Sequence, residues 1–150
     1  MTVLARIIPQ LGDFIAMKGK HLAGHVMISI VDDDKSIREA AKTLVKSLGH
    51  CAATFASAEE FLQSGRLDET ACVITDVQMP GMSGVELQNH LLATGSCTPV
   101  IFVTAFPEDA LRERVLRAGA IGFLSKPFTE ETLVACLERA LALHRSRSPN

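Results

Sequence analysis

The sequence predicts a doubly wound α/β domain, on three observations. Five short apolar runs recur along the chain from Val26 onward. Most are apolar throughout rather than alternating, as strands covered on both faces must be. Amphipathic stretches of helical period follow them, joined by short connections. Right-handed crossovers between parallel strands then place helices on both faces of one sheet.

The runs are Val26–Val31, Cys51–Phe55, Ala71–Thr75, Val100–Thr104 and Ala120–Leu124. After the first, Asp34 and Ser36 open a helix with apolar positions at Ile37, Ala41, Leu44, Val45 and Leu48, and Gly49 stops it. Ser57 with Glu60, and Ser83 with Glu86, have the spacing of a capping box, in which each side chain satisfies a free N–H of the first turn. Pro107 suits a first helical position, with Glu108 and Asp109 favourable in the first turn and Gly119 as the stop. The last helix opens at Thr129, Glu130 and Glu131 and aligns Leu133, Leu137, Ala140 and Leu141. These elements occupy residues 26–143 as one domain. Residues 1–25 fall outside the repeat and read as an extension, or as the product of a start site placed too early, since Met27 stands at the first strand. Residues 144–150 read as a short polar tail.

Bulk properties narrow the function. With 150 residues the chain can bury a core without staples. A formal charge of −2 lacks the basic excess of a nucleic-acid footprint. The seven basic residues between Arg112 and Arg147 are interleaved with acids, as on a solvated helix face. Cys51, Cys72, Cys97 and Cys136 form no C-x-x-C pair, so they read as ordinary thiols of a reducing compartment. No apolar run approaches the roughly 20 residues of a membrane span, and the first residues lack the pattern of a secretory leader. A cytoplasmic protein is expected.

In an open α/β sheet, ligands bind beyond the carboxyl ends of the strands. Those ends carry Asp32, Asp33 and Asp34, then Asp76, Thr104 and Lys126. Gathered carboxylates repel one another, and a hard divalent cation with oxygen ligands relieves that cost. A carboxylate beside such an ion can act as a nucleophile toward phosphorus, while a lysine, a hydroxyl and backbone N–H groups stabilise the equatorial oxygens. Taken singly, Asp76 is an ordinary turn residue, Thr104 a β-branched strand residue and Lys126 a solvated charge. Their arrival at one sheet edge is what favours phosphoryl transfer.

Four segments carry a family resemblance: Ile30-Val31-Asp32-Asp33-Asp34, Ile74-Thr75-Asp76-Val77-Gln78-Met79-Pro80-Gly81-Met82-Ser83-Gly84, Val103-Thr104-Ala105 and Leu124-Ser125-Lys126-Pro127-Phe128. In this order and spacing, over about Met27 to Leu143, the chain resembles the receiver domains of two-component response regulators, with local wording similar to the FixJ/NarL type. The resemblance implies the CheY-like sheet order 2-1-3-4-5 with five flanking helices, and Asp76 as phosphoacceptor. It implies Mg2+ held by Asp33, Asp76 and the backbone carbonyl of Gln78, with Asp32 acting through water. Thr104, Lys126 and the Ala105 backbone would bind the phosphoryl group, and Lys126–Pro127 would be a cis peptide. Thr104 and Phe123 would form the switch, although Phe123 also suits an ordinary core position. Gln78 and Phe106 would flank the path of a hydrolytic water, where bulky Phe106 would hinder it. The implied partners are a sensor histidine kinase or histidine phosphotransferase upstream and a protein target downstream, reached through the face of helix four, strand five and helix five. No enzyme activity of its own, no direct nucleic-acid contact and no membrane contact are expected; a phosphorylation-dependent homodimer is compatible. The seven residues after Leu143 are too few for a helix-turn-helix unit, which leaves either a stand-alone receiver or a chain cut at a linker.

The main alternative is a haloacid-dehalogenase-type phosphatase, because Asp32-Asp33-Asp34-Lys35-Ser36 contains D-x-D-x-[ST] with Asp32 and Asp34 as nucleophile and acid. That chemistry needs a late acidic pair, whereas Glu130, Glu131 and Glu138 all fall on a helix. Flavin binding on a flavodoxin-like fold lacks a hydroxyl-rich loop after the first strand and any Trp or Tyr. His21 and His25, four apart, could share a helix face as metal ligands, but no third ligand accompanies them and Gly24 intervenes.

Overall fold

A computed structural model describes residues 25–147. The elements alternate as β1 (Met27–Val31), α1 (Lys35–Ser47), β2 (Cys51–Phe55), α2 (Ala58–Gln63), a 3₁₀ turn (Leu67–Glu69), β3 (Thr70–Asp76), α3 (Gly84–Ala93), β4 (Val100–Thr104), α4 (Asp109–Arg117), β5 (Gly122–Ser125) and α5 (Glu130–Arg147). The strands form one parallel sheet in the order β2-β1-β3-β4-β5, as expected. The order reverses beside β1, so the carboxyl ends of β1 and β3 flank the switch point of the sheet.

Two apolar layers hold the sheet. On one face Ala41 and Val45 of α1 and Leu133, Leu137 and Ala140 of α5 pack on Ile28, Ile30, Ile74 and Ile101. On the other, Phe61 of α2, Leu87 and Leu91 of α3 and Val115 of α4 pack on Val31, Val73 and Phe102. Each such side chain, fully removed from water, contributes about 1.5–3 kcal/mol before chain entropy is counted. β3 and β4 are buried along their whole length, but β2 and β5 are edge strands and partly open. Ser29 and Thr70 carry hydroxyls between β1 and β3; Thr70 donates to the Arg66 carbonyl at 2.7 Å, so Ser29 donates to Thr70 at 2.8 Å.

Local starts follow the sequence with three differences. Ser83 and Glu86 make the full reciprocal box at α3. At α2, Ser57 accepts from Glu60 N, but the Glu60 carboxylate reaches one residue further back, to Ala56 N at 2.8 Å. Pro107 is not in the first turn of α4: Glu108 is still extended, and the helix begins at Asp109. The Thr104 side chain closes the preceding turn by accepting from Phe106 N at 3.0 Å, and the chain runs extended beyond it. Finally, α5 continues past Leu143 to Arg147, whose guanidinium donates to the Cys97 carbonyl at 2.6 Å. The expectations for residues 1–24, including the His21–His25 pairing, and for 148–150 lie outside the described residues.

Candidate functional site

Five side chains singled out in the sequence meet at the carboxyl edge of the sheet through four connections of short length. Asp32 follows β1 and is buried, and its backbone N–H donates to the Phe55 carbonyl at 3.1 Å. Its Oδ1 accepts from Asp34 N at 2.9 Å, a turn that fixes the carboxylate and swings the next residues outward. Asp33 is therefore exposed but still beside the site, whereas Asp34 caps α1 by accepting from Ser36 N at 2.9 Å. Asp76, the last residue of β3, is buried at 7% exposure. Carboxylate oxygens of Asp32, Asp33 and Asp76 all lie within 4.8 Å of one another. Asp34 does not join them, so the D-x-D pair that the phosphatase alternative requires is not assembled.

Lys126 faces these acids after β5. Its Nζ lies 3.0 Å from Asp32 Oδ2 and 3.3 Å from Asp76 Oδ2. Its backbone N–H donates to the Thr104 carbonyl at 2.8 Å, which ties the ends of β4 and β5 together. The Lys126–Pro127 peptide is cis. Thr104 is buried at the end of β4, with its hydroxyl engaged by Phe106 N–H, while Ala105 and Phe106 are exposed. Gln78 stands two residues beyond Asp76 with its side chain open to solvent. Phe123 lies on β5 opposite Phe102 and is half-buried against the layer of α3 and α4.

The electrostatics follow from burial. Desolvation, and then the charge of Asp32, hold the Asp76 carboxyl above its ordinary value; Lys126 and the Val77 N–H oppose this without overcoming it. Burial alone would lower the Lys126 ammonium, but its hydrogen bond to Asp32 and the charges of Asp32 and Asp76 leave it raised and protonated. The site is thus an acidic cluster neutralised on one side only.

Sequence reasoning missed three residues that support it. Arg38, on α1, donates to the Asp32 carbonyl at 2.8 Å. Glu59, on α2, accepts from Met82 N at 2.8 Å. Buried Gln88, on α3, donates to the Val115 carbonyl of α4 at 3.1 Å. No local pattern marks these, because each partner belongs to another turn or element.

The structure is thus that of a doubly wound α/β domain with an acid cluster and a facing lysine at its switch point, and comparison with known proteins gives the family. Residues 28–138 match the family model described as response regulator receiver domain, and the chain belongs to that family of two-component signalling domains. It is 37% identical over 126 residues to the response regulator protein TodT of Pseudomonas putida, covering 82% of this chain and 56% of TodT. It is 35% identical to the transcriptional regulatory protein FixJ of Azorhizobium caulinodans, covering 76% of this chain and 54% of FixJ. The chain thus spans little more than half the length of these relatives. Among solved structures, response regulator StyR superposes with a TM-score of 0.75 at 40% identity, over 81% of this chain and 61% of StyR. A receiver protein from Burkholderia phymatum does so with a TM-score of 0.67 at 38% identity, over 78% of this chain and 95% of that one. No helix among the described residues is long and apolar enough to cross a membrane.

Proposed function

We propose that this receiver accepts a phosphoryl group on Asp76 from a phosphohistidine of a sensor kinase or phosphotransferase, with Mg2+ beside it, and signals through protein contacts. The observation that carries the proposal is the placement of Lys126 against both Asp32 and Asp76, with Asp33 completing the cluster.

The donor set fits magnesium. Octahedral ligands at about 2.0–2.1 Å stand no more than about 4.2 Å apart, and the three carboxylates already lie within 4.8 Å, so small rotations close the gap. Asp33, Asp76 and the Gln78 carbonyl would hold the ion, with Asp32 reaching it through water. Once bound, the ion supplies charge that offsets the gathered carboxylates and the incoming phosphoryl oxygens.

Each protein group then has a part in the transfer. Asp76 attacks phosphorus as the carboxylate, the P–O bond forms as the donor's P–N bond breaks, and the leaving imidazole retains or takes up its proton from solvent. Lys126 orients Asp76 in the resting site and counters the phosphoryl charge afterwards. Thr104 turns from Phe106 N–H to donate its hydroxyl to a phosphoryl oxygen, and the Ala105 N–H supplies a second donor. Movement of Thr104 makes room for Phe123 to rotate inward and remodels the face of α4, β5 and α5.

Acetyl phosphate with Mg2+ provides the test. The intact protein should gain the mass of one phosphoryl group, and acid-quenched peptides should carry it on Asp76. Asp76→Asn should abolish the adduct. An adduct on Asp32, or steady phosphatase turnover that survives Asp76→Ala, would instead establish the phosphatase alternative.

A further inference from the structure

We infer that Glu59 is a positioning residue for the loop between β3 and α3, and that its carboxylate tunes the affinity of the acidic site for its cation. This rests on the reading of Asp32, Asp33 and Asp76 as a magnesium site.

The loop Val77–Ser83 must keep the Gln78 carbonyl in register with Asp76 at the end of β3; Val77 and Met79 anchor it in the apolar layer, while Gln78, Pro80 and Gly81 are exposed. At its far end the chain is fixed: Gly84 N–H donates to the Val77 carbonyl at 2.8 Å, and the Ser83–Glu86 box closes the first turn of α3. Those bonds fix where the loop starts and finishes. Just before that far end, Glu59 Oε2 accepts from Met82 N at 2.8 Å across 23 residues of sequence and ties the loop to α2.

A second observation places the loop backbone directly against this carboxylate. Gly81 adopts a φ of +81°, a conformation that side chains disfavour, and a Cβ there would stand 2.6 Å from Glu59 Oε2. Glycine thus lets the carboxylate approach the backbone directly. The neighbouring Glu60 has a different task, accepting from Ala56 N at the start of α2. Glu59 is half-buried and is outside the cluster of possible metal ligands. It touches neither the reacting carboxylate nor Lys126, so its influence passes through the loop.

The functional consequence is a matter of population. Without the clamp, the loop spends part of its time with the Gln78 carbonyl and Asp76 out of register, and apparent affinity falls by the fraction that remains competent. Loss of one charge-assisted hydrogen bond sets the scale at about ten- to a hundredfold.

The experiment is a titration of the full chain with MgCl2, followed by amide chemical shifts, on wild type, Glu59→Ala and Glu59→Gln. Hydrogen exchange at Met82 is measured alongside it. Glu59→Ala should bind Mg2+ more weakly by the stated factor and lose protection at Met82. Glu59→Gln keeps a side-chain acceptor and should restore both. Equal Mg2+ affinity in wild type and Glu59→Ala would overturn the positioning role alone, whereas no Mg2+-dependent shifts in the wild type would overturn the metal reading and this inference with it. If Glu59→Ala fails to fold, the wild type and Glu59→Gln still decide: unprotected Met82 in the wild type, or Mg2+ affinity lost in a folded Glu59→Gln that keeps Met82 protected, refutes the loop mechanism.

Discussion

Replacing Lys126 with Met removes, among the described residues, the only cation paired with the buried carboxylates while keeping most of the side-chain volume. At an effective dielectric of about 20, unit charges at the observed 3.0 and 3.3 Å attract by roughly 5 kcal/mol per pair. Desolvation of the three groups consumes most of that. Removing one member of a buried pair nevertheless costs about 3–5 kcal/mol, because the remaining charge stays buried. Here Asp33 is exposed at the mouth and the lysine side chain is 14% accessible, so water reaches the site and the lower end applies. We expect a loss of about 3 kcal/mol at neutral pH, equivalent to roughly 10 °C in Tm for a domain of this size. The chain has no Trp or Tyr, so urea and thermal unfolding are followed by far-ultraviolet circular dichroism, in EDTA. The pH dependence has a definite sign. Folded Asp76 has a pKa above 3.8, so between 3.8 and that value it keeps a proton that the unfolded chain has released. Stability from this group therefore falls as pH rises through that window. Lys126 limits the rise, so its loss extends the window upward, and acidification from neutral pH toward 3.8 should recover part of the deficit. A Lys126→Met protein within about 0.5 kcal/mol of wild type, or one whose deficit grows on acidification, would refute the reasoning.

Gly84→Ala tests the packing under Asp76. Helix propensity alone would favour alanine by about 1 kcal/mol, but its Cβ would collide with the Asp76 carbonyl oxygen and lie 3.1 Å from Val77 Cα; a net loss above about 1 kcal/mol is expected in urea unfolding, and a stabilised variant would show that the contact yields. Thiol labelling separates the cysteines: Cys51 and Cys97 are exposed, whereas burial raises the Cys72 and Cys136 thiols, Cys72 far above its ordinary range. Native protein should release colour from two thiols with Ellman's reagent and from the other pair only in denaturant; rapid reaction of Cys72 in the native state would contradict its placement. For the switch, beryllofluoride with Mg2+ should move amide resonances across Ala105–Ala118 and at Phe123. Unchanged resonances there at full occupancy of Asp76 would end the switching model.

The sheet was legible because strand and helix have different apolar periods, and because Gly49, Ser83 and Gly119 are local stop and start signals. The acid–lysine cluster was legible because strand ends in a parallel sheet converge whatever the loops do. What sequence left open is decided by contacts between elements. Asp34 was readable as the start of α1, and it does cap that helix, but which of Asp32 and Asp33 turns inward was not; the Asp34 N–H bond to Asp32 Oδ1 fixes Asp32 as the buried one. Pro107 is compatible both with a first helical turn and with the loop before one, and the extended Glu108 chooses the latter. Composition did not separate edge strands from central ones, so β2 and β5 are more open than their apolar runs imply. Arg38, Glu59 and Gln88 were invisible for the same reason, since each binds a backbone group presented by tertiary structure.

On the proposed reading, the contacts around Thr104 also indicate how large a signal the domain can send. The Thr104 backbone is fixed, because its carbonyl receives Lys126 N–H; only the side chain is free to exchange Phe106 N–H for a phosphoryl oxygen. Giving up that bond costs about 0.5–1.5 kcal/mol net, and a hydrogen bond to a charged group returns about 1.5–3 kcal/mol. Inward rotation of half-buried Phe123 adds a further part of the roughly 1.5–3 kcal/mol that full burial of such a ring supplies. The sum is a few kcal/mol, enough to shift an equilibrium by one to a few powers of ten but not to build a new fold. Gln88 shapes that shift, because it ties α3 to the Val115 carbonyl near the end of α4. The start of α4 is linked to the Thr104 turn through the extended Pro107 and Glu108, while its end is held to α3, whose first residue Gly84 donates to the Val77 carbonyl. On that reading, a helix held at its end and driven from its start would pivot, with the largest displacement expected beside exposed Phe106 and Asp109.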